Sequence, residues 1–138
     1  MEVEGEVIGE IGHGLLLLLG VEQEDGQEDL EWLVGKMLGM RIFADSAGKM
    51  NLSLRDVKGE VLVVSQFTLF ASTKKGNRPS FMRSGDPQKA EALYEDFKKA
   101  LEGDIPGRVE CGEFGADMQV SLINDGPVTI LLDSKNRE

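Results

Sequence analysis

The chain has 138 residues, 41% of them hydrophobic, and a net charge of −10. That is the size of one ordinary domain with enough apolar content for a core, and the charge argues against indiscriminate nucleic-acid binding. The longest apolar run, Leu15–Leu19, falls far short of the roughly 20 residues that cross a bilayer. One cysteine, Cys111, excludes an internal disulfide, and with the single histidine, His13, it cannot build a zinc site. The chain opens with no basic leader and no cleavage pattern, so a cytoplasmic protein with no membrane partner, no metal and no cofactor is expected.

Residues 3–11 alternate valine, glycine and isoleucine with glutamate, which predicts a strand with one wet face. Gly12-His13-Gly14 reads as a turn into a buried strand over Leu15–Val21, so these two strands are expected to form a hairpin, with His13 an exposed loop residue. Asp25 is the expected N-cap of a helix whose apolar stripe is Leu30, Leu33, Val34, Met37 and Leu38. Gly35 and Gly39 each weaken that helix by about 1 kcal/mol relative to alanine, so a closely packed neighbour is expected there. Asp45-Ser46-Ala47-Gly48 is a turn, Asn51–Leu54 a short strand, and Lys58-Gly59 a turn into a buried strand beginning at Val61.

Asp86-Pro87 predicts a second helix, with Asp86 as its N-cap and proline at the first helical position. Ala90, Leu93, Tyr94, Phe97 and Leu101 form its stripe, and Gly103 is its expected end. Val109–Cys111, Met118–Ile123 and Val128–Leu132 read as three further strands, with Asn124-Asp125-Gly126-Pro127 turning between the last two. Two helices against six or seven mostly antiparallel strands make one α+β domain, helices on one side of the sheet.

Charge is unevenly spread. Residues 1–35 hold ten acids and no lysine or arginine, while the rest carries fifteen of each sign. Residues 61–85 hold no acid and four cations, Lys74, Lys75, Arg78 and Arg83. This basic stretch follows directly on the end of the central strand, where Ser65, Gln66 and Thr68 interrupt an apolar run. An unpaired buried hydroxyl or amide costs about 1–3 kcal/mol, so either an ordinary Ser/Thr turn or a ligand must satisfy them. A hydroxyl nucleophile needs a base beside it, and the lone histidine lies in an acidic stretch. The lysines that follow Thr68 would be protonated near neutral pH in a solvated loop. Such a site suits an already labile bond, held by backbone donors.

Ser65-Gln66-Phe67-Thr68, Asn77-Arg78-Pro79-Ser80-Phe81, Phe114-Gly115-Ala116-Asp117-Met118 and Asn124-Asp125-Gly126-Pro127-Val128-Thr129 occur in the order and spacing of the D-aminoacyl-tRNA deacylases. Gly48-Lys49-Met50-Asn51-Leu52-Ser53 is also similar to that family, and the resemblance runs through almost the whole chain. It implies a three-layer β/β/α sandwich and a homodimer with sites at the subunit interface. It also implies an enzyme that hydrolyses the ester between a D-amino acid and the terminal ribose of tRNA, and that removes glycine mischarged on tRNA(Ala). Carried over, Ser65, Gln66, Phe67 and Thr68 line the catalytic pocket, and Gly126 and Pro127 reach in from the partner subunit to enforce chirality. Phe114, Gly115, Ala116 and Met118 would hold the terminal adenine, and Lys74, Lys75, Arg78 and Arg83 would meet acceptor-end phosphates.

Under this resemblance a vicinal ribose hydroxyl assists the reaction, with Thr68 as a covalent nucleophile the competing mechanism. A cis Gly126–Pro127 peptide would place its carbonyls rigidly against an L side chain. Two departures stand out. The family usually begins with roughly a dozen further residues, an extra strand whose loss would expose a sheet edge and remove a basic residue near the site. Asn77 also stands where a basic residue is more usual. A non-catalytic tRNA-end-binding dimer of the same fold and an unrelated small-ester hydrolase are the alternative readings.

Overall fold

The computed structural model describes residues 1–137. In chain order it contains β1 (Glu2–Val3), β2 (Glu6–Val7), β3 (Gly14–Leu19), α1 (Gln27–Gly39), β4 (Phe43–Ala44), β5 (Met50–Leu52) and β6 (Glu60–Ser65). A 3-10 turn (Phe67–Phe70), α2 (Pro87–Asp104), β7 (Val109–Cys111) and β8 (Met118–Gln119) follow.

The central sheet has the order β3-β6-β7 and both of its pairings are parallel. Parallel neighbours need long crossovers, and here each contains a helix: α1 lies between β3 and β6, α2 between β6 and β7. β6 is buried on both faces. Val61 and Val63, wholly buried, join Leu30, Val34, Leu38, Tyr94, Phe97 and Leu101 of the helices in the main core. Leu62 and Val64 point the other way, into a second cluster with Met1, Leu16, Met118 and Val120. That second face is covered by a small antiparallel sheet of order β2-β1-β8. The layers are therefore helices, central sheet and small sheet, the expected three-layer α+β arrangement, with a β4–β5 hairpin at the side.

The expected hairpin of residues 3–11 with 15–21 does not form. The chain turns earlier, at Glu4 and Gly5, both with positive φ (50° and 82°), so that Val3 pairs Glu6 and Glu2 pairs Val7. Paired residues share a face, so Val3 lies beside Glu6 and Val7 beside Glu2, and the alternation of the sequence does not sort into one apolar and one wet face. β3 instead pairs β6 in parallel, Gly14 opposite Glu60 through Leu19 opposite Ser65. Gly14 permits this, because a Cβ there would lie 1.8 Å from the Glu60 carbonyl oxygen. β1 is the middle strand of its sheet, paired on both sides.

The helix termini show what capping requires. Asp86 caps α2 as expected, accepting from the Lys89 N–H at 3.0 Å with Pro87 behind it, and α2 runs through Gly103 to Asp104. α1 is capped one residue later than expected, at Gly26, whose N–H donates to Asp29 Oδ2 at 3.0 Å. The Asp25 carboxylate is occupied by the Glu22 N–H at 2.8 Å. Nothing packs within 4 Å of a Cβ built at Gly35 or Gly39, so the close neighbour expected there is absent; both glycines border an open surface depression beside Trp32.

The last segment departs most from expectation. Only Met118–Gln119 of the expected 118–123 strand finds a ladder partner, and no strand forms over 128–132. Leu122, Ile123, Ile130 and Leu131 stand exposed, Ile123 by 93% and Leu131 by 84%. Beyond them the chain is fastened to α1. Lys135 Nζ reaches Asp29 Oδ2 at 2.9 Å and Asp25 at 3.9 Å, and Arg137 lies 4.9 Å over the Trp32 ring.

Burial pushes the Asp29 carboxyl up, but hydrogen bonds from Lys135, the Gly26 N–H and Ser134 outweigh it and bring it down to about 2. A carboxylate held below its unfolded value of 3.8 stabilises the fold above that value, and the stabilisation is lost as pH falls toward 2. The stability advantage of the wild type over Lys135→Met, measured by urea unfolding, should therefore shrink between pH 4 and pH 2. An advantage that stays constant across this window would show that the Lys135–Asp29 pair is not its source.

Candidate active site

The apolar run of β6 ends at Ser65, and there the chain leaves the sheet. The Gln66 N–H makes a last hydrogen bond to Leu19 O at 2.8 Å, and the backbone then tightens into the 3-10 turn. Within it Leu69 N–H donates to Gln66 O at 3.3 Å and Ala71 N–H to Thr68 O at 3.1 Å. The N–H groups of Phe67 and Thr68 precede the first of these bonds, and donors at the start of a helical turn have no partner within it. The turn sits at the carboxyl edge of the parallel sheet, the edge where open parallel sheets place their sites.

Two of the four residues of this turn motif are bonded to each other: the Gln66 side-chain amide donates to the Thr68 hydroxyl. An amide cannot accept a proton near neutral pH, so this partner orients Thr68 without activating it. His13 lies at the opposite end of β6, where its carbonyl accepts from the Glu60 N–H at 3.0 Å and its ring packs 5.3 Å from that of Phe43. Phe67 is 55% exposed, with its ring set edge-on to Phe81, centroids 5.0 Å apart. The sequence held no signal for that pairing. Among the described residues no group of three or more His, Cys, Asp or Glu is placed to hold a metal ion. No helix there is long and apolar enough to cross a membrane.

The basic stretch folds as a ribbon beside the turn. Ser72 and Ser80 exchange two backbone hydrogen bonds of 2.8 Å, and Lys74, Lys75 and Arg78 are exposed on the loop between them. Arg83 is placed differently, at the base of the ribbon. It is ion-paired with Glu22 at 3.0 Å, and its guanidinium lies 5.3 Å over the Phe70 ring.

β7 delivers the third motif to the same edge, since the Gly112 N–H donates to Val63 O at 2.9 Å, two residues before Ser65. The chain turns through Gly115 (φ 81°), closed by Ala116 N–H to Glu113 O at 3.1 Å. Phe114 is half-buried against the main core, 6.0 Å from the Tyr94 ring, and Met118 packs with the second cluster. The fourth motif is a corner with a cis Gly126–Pro127 bond. Its hydrogen bonds are internal: Val128 N–H to Asn124 Oδ1 at 2.8 Å, and Asn124 Nδ2 to Thr129 Oγ1 at 3.0 Å. Gly126 and Pro127 are exposed, flanked on both sides by the exposed apolar pairs Leu122-Ile123 and Ile130-Leu131.

Comparison with known proteins identifies the family and the fold. The chain is 62% identical over 138 residues to a D-aminoacyl-tRNA deacylase of Akkermansia muciniphila, covering all of this chain and 92% of that relative. It is 55% identical to a D-aminoacyl-tRNA deacylase of Flavobacterium johnsoniae, covering 99% of this chain and 91% of the relative. A solved structure titled "c-Myc DNA Unwinding Element Binding Protein" superposes with a TM-score of 0.88 at 44% identity, over 94% of this chain and 87% of that one. A second, described as a probable eukaryotic D-amino acid tRNA deacylase, shares the fold at a TM-score of 0.65 and 22% identity, over 76% of each chain. The family model for D-Tyr-tRNA(Tyr) deacylase matches residues 1–133, and the chain belongs to that family.

Proposed function

We propose that this protein hydrolyses the ester joining a D-amino acid to the 3′-terminal ribose of tRNA, releasing both, and that it removes glycine mischarged on tRNA(Ala) in the same way. The observation that carries the reading is the turn at the end of β6. It offers a hydroxyl–amide pair and two N–H groups at the start of a helical turn, at a sheet edge, with an amide as the partner of Thr68. An aminoacyl ester is activated, so the site's task is to position it and to stabilise developing charge. The N–H groups of Phe67 and Thr68 suit the oxyanion. The substrate's neighbouring ribose hydroxyl assists the attack of water, the role no protein base fills beside Thr68.

The protein works as a homodimer in the cytoplasm. Ser65–Thr68 of one protomer face Gly126 and Pro127 of the other, and the exposed apolar residues on either side of that corner supply the contact area. Corner backbone, lacking side chains to move aside, excludes an L side chain while tolerating hydrogen. Phe114, Gly115, Ala116 and Met118 border the position of the terminal adenine, and Lys74, Lys75 and Arg78 lie where acceptor-end phosphates pass.

Purified protein should release D-tyrosine from D-tyrosyl-tRNA without added metal and spare L-tyrosyl-tRNA; equal rates on the two would overturn the reading. Thr68→Ala should keep kcat within about tenfold of wild type if the substrate assists, whereas a loss of several thousand-fold would make Thr68 the nucleophile. Gly126→Ala would set a Cβ 2.9 Å from the Val128 side chain in a corner whose φ is 140°, and should abolish activity. Gln66→Pro removes the N–H bonded to Leu19 and should also be inactive. Mixing these two inactive proteins should restore about a quarter of wild-type activity, because half the dimers are mixed and each holds one intact cleft. No recovery, with mixed dimers shown to form, would mean that the corner serves its own chain.

A further inference from the structure

Of the four cations between residues 61 and 85, Arg83 is the one seen with both a carboxylate and a ring beside its guanidinium, although its side chain is 64% exposed. Its guanidinium pairs with Glu22 at 3.0 Å and lies over Phe70 at 5.3 Å. Its backbone is fixed as well: Arg83 O accepts from the Gln23 N–H at 3.3 Å, Ser84 O from the Gln23 side-chain amide at 3.0 Å, and the Gly85 N–H donates to Val21 O at 2.8 Å. Glu22 is held in turn, its N–H on Asp25 Oδ2 at 2.8 Å and its side chain only 15% exposed. Phe70 is the last residue of the 3-10 turn and meets the backbone of β3's exit, where a Cβ on Gly20 would come within 2.8 Å of its ring. The turn that carries Gln66 and Thr68 is thus fastened at one end by Gln66 N–H on Leu19 O and at the other by Phe70 under Arg83.

Building on the deacylase reading, we infer that Arg83 is a positioning residue for catalysis: the Glu22–Arg83–Phe70 clip holds the Phe67–Phe70 turn, and phosphate contact is left to Lys74, Lys75 and Arg78. An exposed ion pair contributes little to global stability, so the clip's effect is local, on the geometry of the turn. Arginine suits this task, since its planar guanidinium can stack on a ring while its edge binds a carboxylate.

The test compares Arg83→Gln, Arg83→Lys, Glu22→Gln and the double variant Glu22→Gln/Arg83→Gln. Kinetics on D-tyrosyl-tRNA and the salt dependence of tRNA binding are measured for each, with thermal melting as a control for folding. Arg83→Gln and Glu22→Gln should each lower kcat about tenfold, and the double variant should be no worse than either, as expected of residues acting as a unit. Arg83→Lys, which keeps the charge but loses the flat stacking surface, should not rescue kcat. The salt slope should stay at the wild-type value in all four. A phosphate contact predicts the reverse: a slope smaller by about 0.7–0.9 in Arg83→Gln, rescue by lysine, and an unaffected Glu22→Gln; that pattern would overturn the inference.

Amide hydrogen exchange at Leu69 and Ala71 gives a readout independent of turnover, so failure of the deacylase reading and failure of the clip are distinguishable. Exchange should quicken in Arg83→Gln and in Glu22→Gln. Unchanged protection would dismiss the clip even if the wild type is an active deacylase.

Discussion

The burial of β6 on both faces is the constraint on which the rest of the molecule depends. Val61 and Val63 are sealed by the helices, Leu62 and Val64 by the small sheet. Each fully buried aliphatic side chain contributes about 1.5–3 kcal/mol, so one strand anchors both cores. Its parallel register with β3 and β7 fixes where each neighbour ends, and all three ends open on one edge. Ser65 is the first residue of β6 after the buried quartet, and the chain leaves the sheet directly beyond it. The hydroxyl–amide turn stands where it does because the hydrophobic strand runs out there. Tyr94 reinforces that edge from below: its hydroxyl lies 3.0 Å from the carbonyl oxygens of both Val63 and Gly112, at the seam of β6 and β7.

A site built this way is sparsely equipped. The Thr68 hydroxyl is occupied by an amide, the lone histidine is at the far end of the strand, and the nearby cations are spread along an exposed ribbon or, in Arg83, committed to Glu22. On the function proposed above, the chemistry falls to positioned backbone and to a substrate that brings its own reactive group. On that proposal, recognition through main-chain atoms implies breadth: a pocket that reads handedness with backbone has few side chains with which to judge the amino acid beyond it.

What could be read from the residues follows from how local each signal is. α2 was legible because Asp86-Pro87 and its apolar stripe are short-range features. The start of α1 lies one residue later than expected because two local options compete for the same carboxylate: Asp25 binds the Glu22 N–H and leaves Gly26 to cap. The parallel pairing of β3 with β6 had no local trace, since the partners are separated by a helix and a hairpin, and the Glu4-Gly5 turn falls inside an unbroken alternation that does not mark it. Residues 120–123 and 128–132 carry a strand's composition, but the described chain offers them no ladder beyond Gln119. Of the candidate site, Ser65–Thr68 and Asn124–Thr129 stood out as polar breaks in the sequence, and the full set of four motifs was visible only through the family resemblance in order and spacing. The contacts that hold them, Phe67 on Phe81 and Phe70 under Arg83, depend on packing between segments and left no pattern.

The bare leucines and isoleucines beside the Gly126–Pro127 corner have a consequence that reaches past one molecule. If each cleft is completed by a twin, catalytic capacity depends on abundance more steeply than in proportion. Under dilute conditions, where single chains predominate, halving the stock of protein removes about three quarters of the assembled clefts. A modest fall in expression would then cost a cell most of its protection against wrong-handed residues, with every remaining chain still correctly folded.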